Sequence, residues 1–245
     1  HAQGRGYQGV FVMCEVKTFK LEMHAHIAGG SSCAKATEEE LAEIYAAHGY
    51  GGVTLTTHYC EDSFSLYPGE TLKEKLDFYF GLYDKFRAAL EKRDMRPFLG
   101  AEVRVYDPED YFTEFLLYGF AKAFFYDNPP LYTLTQRELF ELCDGAGVFM
   151  AQSHPFRSKI KLGYYAYMHG AEVFNGHPRP NNRNPLAELF AESYDLKKIS
   201  GTDFHEVEFV PNAGILVPEN IDTDGALKAF LFAEQPALIK DGKIG

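Results

Sequence analysis

Ligand-type side chains recur at the ends of apolar, strand-like runs along this sequence. A histidine or an acidic residue lies at or near the end of such a run five times, with helical patterns between the runs. Strands that alternate with helices form βαβ units, and the carboxyl ends of their strands meet at one face of the fold. The recurrent residues are His24, His26, His58, Glu102, His154, Asp203 and His205.

Apolar and β-branched runs predict seven strands before residue 201. Seven strands in a chain of 245 residues favour an α/β fold with a closed, TIM-like barrel whose strand ends form the active-site rim. An open doubly wound sheet is the alternative, but no glycine-rich nucleotide loop follows the first strand. The predicted strands span residues 20–26, 53–57, 97–106, 115–118, 148–152, 171–174 and 198–200, and a last segment holds residues 215–217 and 237–240.

Helix start signals support this alternation. Thr37 with Glu40, and Thr135 with Glu138, have the spacing of capping boxes, in which each side chain bonds the other's backbone N–H. Gly49 is suited to end the first helix. Further helices are predicted at residues 71–93, 185–194 and 223–233.

Composition narrows the functional classes. The 46% hydrophobic residues suffice for one large core, so residues 13–245 are expected to form a single domain preceded by an extension at residues 1–12. The net charge of -11 argues against a nucleic-acid surface, and no apolar run is long enough to cross a membrane. Four irregularly spaced cysteines indicate a reducing, cytoplasmic location.

The set of motifs resembles the PHP family, named for its polymerase and histidinol-phosphatase members. His24-x-His26, His58, Glu102, His154-Pro155 and Asp203-x-His205 occur in the family's order. The similarity is strongest to stand-alone bacterial members, through GAEV at residues 100–103, LLYGF at 116–120, HPFR at 154–157, EVFNG at 172–176 and SGTDFH at 200–205.

This resemblance implies a distorted (β/α)7 barrel with two or three divalent ions, zinc, iron or manganese. His24, His26, Glu102 and Asp203 resemble ligands of the first ion. Glu102 would bridge to a second ion, held also by His154 and by Glu114. The third ion would take His58, His205 and Cys33.

Three positions depart from the family pattern. Thr57 stands where an aspartate usually precedes the second-strand histidine, so His58 lacks an expected partner. Cys33 occupies about the place of an aspartate or histidine ligand, and Glu114, just before the predicted fourth strand, is offered where the family has its remaining second-ion ligand. The first two departures concern the third metal position, and the last concerns the second.

The sequence therefore predicts a metal-dependent phosphoesterase that acts on a small phosphorylated substrate with metal-activated water. Arg157 is the best phosphate-binding candidate, with Asn175 and Arg179 beside it, because a guanidinium matches phosphate oxygens. His205 or His177 would protonate the leaving group. The alternatives are an amidohydrolase-like C–N hydrolase and a metal-binding barrel without catalysis.

Overall fold

A single mixed sheet carries the site. The computed structural model describes residues 17–106, 111–179 and 181–245, so the expected extension at residues 1–12 lies outside the described residues. The strands are β1 (Thr18–Ala25), β2 (Tyr50–Leu55), β3 (His58–Tyr59), β4 (Arg96–Tyr106), β5 (Phe112–Tyr118), β6 (Phe149–Gln152), β7 (Gly170–Asn175), β8 (Lys197–Gly201), β9 (Gly214–Pro218), β10 (Leu238–Lys240) and β11 (Lys243–Ile244).

Helices connect most of the central strands. They are α1 (Glu38–Ala47), α2 (Glu61–Leu66), α3 (Leu72–Glu91), α4 (Ala123–Tyr126), α5 (Gln136–Gly145), α6 (Asn184–Ser193) and α7 (Asp224–Ala233), with 3-10 turns at Leu131–Thr133 and Tyr165–Tyr167. Both predicted capping boxes are present, at Thr37 and Thr135. Gly49, with a φ of 70°, follows α1 as predicted, because a left-handed residue ends a helix readily when it has no Cβ. Within the described residues, no helix is both long and apolar enough to cross a membrane.

The sheet curls back towards its first strand. Its strand order is β11-β10-β9-β1-β2-β4-β5-β6-β7-β8, and β3 pairs with β4 off this path. Just after β8, Phe204 forms a parallel bridge with Ala25 at the end of β1. The His26 N–H donates to the Phe204 carbonyl over 2.9 Å, and the Phe204 N–H donates to the His24 carbonyl over 3.2 Å. We call this contact the seam.

The βαβ units predicted from the sequence imply a parallel sheet, and this expectation is wrong at two places. β5 runs antiparallel to both β4 and β6, and β9 runs antiparallel to β1 and β10. Only residues 107–111 separate β4 from β5, and so short a link allows a hairpin but no parallel crossover. The α/β fold is confirmed, whereas the count of seven βα units remains a prediction.

The core lies between the sheet and its helices. α3 packs one apolar face against the core, where Leu76, Tyr79, Tyr83 and Phe86 are buried, whereas Leu72 in its first turn is partly exposed. Fully buried aromatic rings on β3, β5 and β6 fill the interior, and each contributes roughly 1.5–3 kcal/mol by leaving water. This packing fixes the strand ends at which the candidate ligands lie.

Candidate metal centre

The predicted ligands converge at one end of the curled sheet. Among the described residues, five groups of three metal-binding side chains each have ligand atoms within 4.8 Å of one another. The groups share members, so they form one continuous cluster. They are His24-His26-Asp203, His24-Glu102-His154, His58-Glu102-Glu114, His26-His58-His205 and His177-Asp203-His205.

The first metal position is formed by residues from both sides of the seam. His24 and His26 project from one face of β1 and its end because alternate residues of a strand share a face. The His24 Nε2 atom lies 3.3 Å from Glu102 Oε1 and 3.3 Å from Asp203 Oδ1. The His26 Nε2 atom lies 3.2 Å from the same Asp203 oxygen and 3.5 Å from Glu102 Oε2. Two imidazoles and two carboxylates therefore meet, as predicted.

The second position adjoins the first through Glu102. The His154 Nε2 atom lies 3.1 Å from Glu102 Oε1 and 3.6 Å from Glu114 Oε2. Arg104 contacts the other oxygen of Glu114, with its Nε at 2.9 Å and its Nη2 at 2.8 Å from Oε1. Glu114 lies inside β5 rather than before it, and it pairs with Arg104 across the β4–β5 ladder. One Glu114 oxygen thus faces the cluster while the other is held by a cation.

The third position is built from the rims of three strands. The Cys33 Sγ atom lies 3.5 Å from His58 Nε2 and 3.1 Å from Ser31 Oγ. The rings of His58 and His205 have centroids 6.0 Å apart. Burial alone would raise the pKa of the Cys33 thiol, but hydrogen bonds with His205 and His58 outweigh it and lower the pKa to about 5. Cys33 is exposed, unlike the histidines.

Several nitrogen and oxygen atoms of the candidate ligands are buried and lack a well-directed hydrogen bond among the described residues, although some lie close to one another, as His58 Nδ1 does to Glu102 Oε2 at 2.9 Å. These are His24 Nε2, both ring nitrogens of His26, His58 Nδ1, His154 Nδ1 and Glu102 Oε2. An unsatisfied buried polar group costs about 1–3 kcal/mol, so such a concentration is expensive in a protein without a ligand there. The nitrogen and oxygen donors suit zinc, iron or manganese. The residues therefore fit a cluster of divalent ions.

The acidic candidate ligands are also in the ionised state that binding of cations requires. Burial disfavours the ionised form of Glu102, but His24 and His58 outweigh burial and lower its pKa well below the usual value. In Asp203, burial is likewise outweighed by His24, Arg157 and His205, so its pKa is far below its usual range. Both side chains are carboxylates at neutral pH and supply the negative charge that divalent ions need.

Two ligand residues have strained backbones. His154 has a φ of 32° and Asp203 a φ of 56°, in the left-handed region that residues other than glycine rarely adopt. Such conformations cost about 1–3 kcal/mol and persist where the surroundings enforce them, often at functional sites. Both residues follow a strand end, where the unusual turn directs the side chain into the cluster.

The arginines predicted to bind the substrate contact oxygen atoms of other protein groups. The Arg157 Nη2 atom donates to Asp203 Oδ2 over 2.6 Å and to Asn175 Oδ1 over 2.9 Å, and its Nε donates to Asn182 over 2.8 Å. Arg179 contacts the Glu206 carboxylate. Arg183, which precedes α6, donates to the Phe156 carbonyl over 2.7 Å.

His177 lies beside the cluster with its ring centroid 5.5 Å from that of His205. Its Nδ1 accepts the Arg179 N–H over 3.2 Å. Burial is the main cause that lowers the pKa of His177, to about 4, so its imidazole is neutral at pH 7. Because Nδ1 accepts, the proton is on Nε2, and His177 can donate a hydrogen bond there.

A cavity of about 300 Å³ opens beside the cluster. It is bordered by candidate ligands and by four cationic side chains, three of which pair with carboxylates of the same wall: Arg104 with Glu114, Arg157 with Asp203 and Arg179 with Glu206. The cations are Arg104, Arg157, Lys159 and Arg179. A larger apolar cavity of about 770 Å³ lies between β9 and α7 and touches none of the candidate ligands.

Sequence reasoning missed three supporting residues, the buried Glu22 and Glu172 and the partly exposed Arg104. Glu22 accepts hydrogen bonds from the backbone N–H groups of His24 and Thr202, each over 2.8 Å. Glu172 accepts from His24 Nδ1 over 2.9 Å, and Arg104 holds Glu114. Glu22 and Arg104 each stand two residues from a predicted ligand on the same strand, so the period of two could have identified them. The only sequence signal for Glu172 was its position in the EVFNG motif.

No protein-family model and no curated protein matches the chain. A two-domain protein from Bacteroides vulgatus that contains a predicted PHP-like metal-dependent phosphoesterase superposes with a TM-score of 0.64 at 17% identity, over 93% of this chain and 66% of its own length. The lesion-specific endonuclease Q of Pyrococcus furiosus gives 0.59 at 14% identity, over 91% of this chain and 58% of its own length.

An amidohydrolase from Chromobacterium violaceum, with bound sulfate and no metal, gives a TM-score of 0.53 at 16% identity, over 76% of this chain and 87% of its own length. This chain therefore spans less than two thirds of the Bacteroides and Pyrococcus proteins. At these identities the similarity establishes the architecture. The chain has the fold of the PHP-like metal-dependent phosphoesterases and endonuclease Q. The fold therefore confirms the resemblance to the PHP family that its sequence motifs predicted.

Proposed function

We propose that this protein is a PHP-type, metal-dependent phosphoesterase. The observation that carries the proposal is the convergence of histidines and carboxylates from separate strand ends into adjoining groups that share Glu102. Glu102 is 1% exposed and has oxygens directed at both the first and the second metal position. A single bridging carboxylate between two ligand groups is suited to a dinuclear centre.

The proposed ligands follow the geometry. His24, His26, Glu102 and Asp203 would hold one ion, and Glu102, His154 and Glu114 a second. His58, His205 and Cys33 would hold a third. When bound, such ions acidify a water molecule and neutralise charge on phosphoryl oxygens.

The cavity walls would bind the anion. Lys159 and Arg179 border it, and Arg157 adds a guanidinium whose orientation is fixed by Asp203, Asn175 and Asn182. A cation held in place by the protein loses little side-chain entropy when it binds a phosphate. Asn175 orients Arg157 from behind and thus contributes to binding indirectly.

The two histidines at the cavity differ in what they can do. The His205 Nδ1 donates to the Asp203 carbonyl over 2.8 Å, which leaves Nε2 for an ion or a substrate. His177 is neutral at pH 7 and offers an Nε2–H to a substrate oxygen. Because one nitrogen cannot both bind an ion and carry a proton, we assign proton transfer to the leaving group to His205 Nε2 only in protein whose third position is empty. Hydrogen bonding of the substrate is assigned to His177.

Substrate size is proposed from volume and charge. A cavity of about 300 Å³ is at the small end of ligand pockets, and the strongly acidic chain does not favour a polyanionic partner. A small phosphate ester is therefore the proposed substrate. Because endonuclease Q and an amidohydrolase share the fold, nucleic acid and C–N bonds are the rival substrates.

The test is hydrolysis by protein of defined metal content. Metal-stripped protein is reloaded with Mn²⁺, Zn²⁺ or Fe²⁺ and assayed with phosphomonoesters, a phosphodiester, an abasic duplex and N-acyl amides. We expect metal-dependent release of phosphate. Asp203→Asn should reduce turnover by more than the roughly 10- to 100-fold typical of an outer partner.

Asparagine is chosen because it tolerates the left-handed backbone of residue 203, so the variant tests the lost charge. Turnover of amides alone would favour the amidohydrolase. Tight metal binding without hydrolysis of any substrate would indicate a metal-binding barrel without catalysis.

A further inference from the structure

Glu172, on β7, is the one buried carboxylate among the described residues whose side chain contacts two proposed ligand residues without itself belonging to a metal-binding group. Its Oε1 accepts from His24 Nδ1 over 2.9 Å. Its Oε2 accepts the His154 backbone N–H over 2.9 Å and the Asn175 Nδ2 over 2.8 Å. Glu172 is 1% exposed. The mechanism proposed above assigns it no role.

We propose that Glu172 is a positioning residue that orients one ligand of each of two adjacent metal positions, and so couples their affinities. The proposal rests on the metal centre of the proposed function, but not on the substrate. It concerns the orientation of His24 at the first position and of His154 at the second.

At the first position, Glu172 determines which nitrogen of His24 can bind. A carboxylate that accepts from Nδ1 requires the proton there, which leaves the lone pair on Nε2. The His24 Nε2 atom is the one within 3.3 Å of Glu102 and Asp203. The pair is enclosed by β8, because a Cβ on Gly201 would lie 2.4 Å from His24 Cβ and 2.9 Å from Glu172 Oε1.

At the second position, Glu172 acts on the backbone. His154 has a φ of 32°, and a hydrogen bond from its N–H to a buried carboxylate stabilises that strained conformation. The conformation directs His154 Nε2 towards Glu102 and Glu114, at 3.1 and 3.6 Å. Loss of the Glu172 acceptor would therefore release the His154 backbone and misdirect its ring.

Only a carboxylate can satisfy this site. Three donors meet at Glu172, from His24, His154 and Asn175. A glutamine has the same size but a single oxygen, and its amide N–H₂ would face at least one of the donors. Glu172→Gln thus removes acceptor capacity while it leaves the volume of the core unchanged.

The experiment measures metal affinity rather than activity. Metal-free wild type and Glu172→Gln are titrated with Mn²⁺ and with Zn²⁺ in competition with a chromophoric chelator. We expect Kd to rise by about 10- to 100-fold at two positions in Glu172→Gln. Unchanged affinity, or a loss confined to one position, would overturn the proposal.

Two control variants separate positioning from general destabilisation. Arg104→Met removes the support of Glu114 alone, so only one position should weaken. Tyr50→Phe removes a buried hydrogen bond of 2.8 Å to the Ala213 carbonyl, remote from the ligands, and should lower Tm without a change in metal affinity. An equal loss of affinity in Tyr50→Phe would reduce Glu172 to a structural role.

A second measurement needs no variant. Long-range ¹H–¹⁵N spectra of the zinc-loaded wild type identify the bound nitrogen of each histidine. His24 should bind through Nε2 with its proton on Nδ1, and binding through Nδ1 would contradict the proposal. Glu172-dependent affinity without ester hydrolysis would reject the proposed function but support this inference, and hydrolysis with unchanged affinities in Glu172→Gln would do the reverse.

Discussion

The first and third of the proposed metal positions differ in how their candidate ligands are supported. At the first, buried carboxylates stand behind the ligands: Glu172 contacts His24, and Glu22 holds the backbone on both sides of the seam. At the third, Thr57 replaces the expected aspartate, and its buried Oγ1 finds no hydrogen-bond partner among the residues that the structure describes. A side chain binds a metal ion more tightly when a second layer of side chains orients it. We therefore expect the first position to fill at the lowest metal concentration and the third at the highest.

The largest expected effect comes from the residue that joins the two best-supported positions. Glu102→Gln should remove more metal than Glu114→Gln, because Glu102 faces both positions and Glu114 faces one. The measurement is metal content by plasma mass spectrometry after dialysis against a weak chelator. If the two variants lose equal amounts of metal, Glu102 does not bridge the first and second positions.

Cys33 offers a test of the third position through its chemistry. With a pKa of about 5, the thiol of metal-free protein is already a thiolate at pH 6. Its alkylation by iodoacetamide should therefore change little between pH 6 and pH 8, and Zn²⁺ should slow it. Tryptic peptides report Cys33 separately, and the buried Cys60 and Cys143 serve as internal controls.

A rate that rises tenfold per pH unit would instead indicate an ordinary thiol. The same rate with and without Zn²⁺ would exclude Cys33 as a ligand. Either result would weaken the third position further relative to the first.

The smallest effect is expected at Thr57. Its hydroxyl has no partner and is buried, so Thr57→Val removes an unsatisfied group and should change the free energy of unfolding by about 1 kcal/mol or less, towards greater stability. Metal affinity at all positions should stay unchanged. Denaturant unfolding and metal titration check this, and a tenfold loss of affinity would show that Thr57 does support His58.

Local signals made much of this architecture predictable. Capping boxes at Thr37 and Thr135 predicted two helix starts, and the strand-end histidines predicted candidate ligands that do come together. The direction of β5 was not predictable from its own residues, because it depends on the length of the connection to β4. The supporting carboxylates were missed for a related reason. Glu172 and His24 are 148 residues apart, and no local periodicity joins them.

Arg157 illustrates a further limit of prediction from sequence. Its residue type and its place in HPFR predicted a phosphate contact, and it does border the cavity. The sequence could not predict that Asp203, Asn175 and Asn182 already occupy its Nε and Nη2. Only tertiary structure determines which donors of a side chain remain for a ligand.

The seam has a consequence for the unfolded chain. Glu22 and Thr202, whose contact spans it, are 180 residues apart, and His24 and Asp203 are nearly as distant. An ion bound to both would act as a reversible cross-link that closes a very long loop. In the chain-entropy account of such links, closure of so long a loop restricts the denatured ensemble by roughly 5 kcal/mol. Chelation should then lower the free energy of unfolding, and amide hydrogen exchange should speed up first at the backbone hydrogen bonds of the seam.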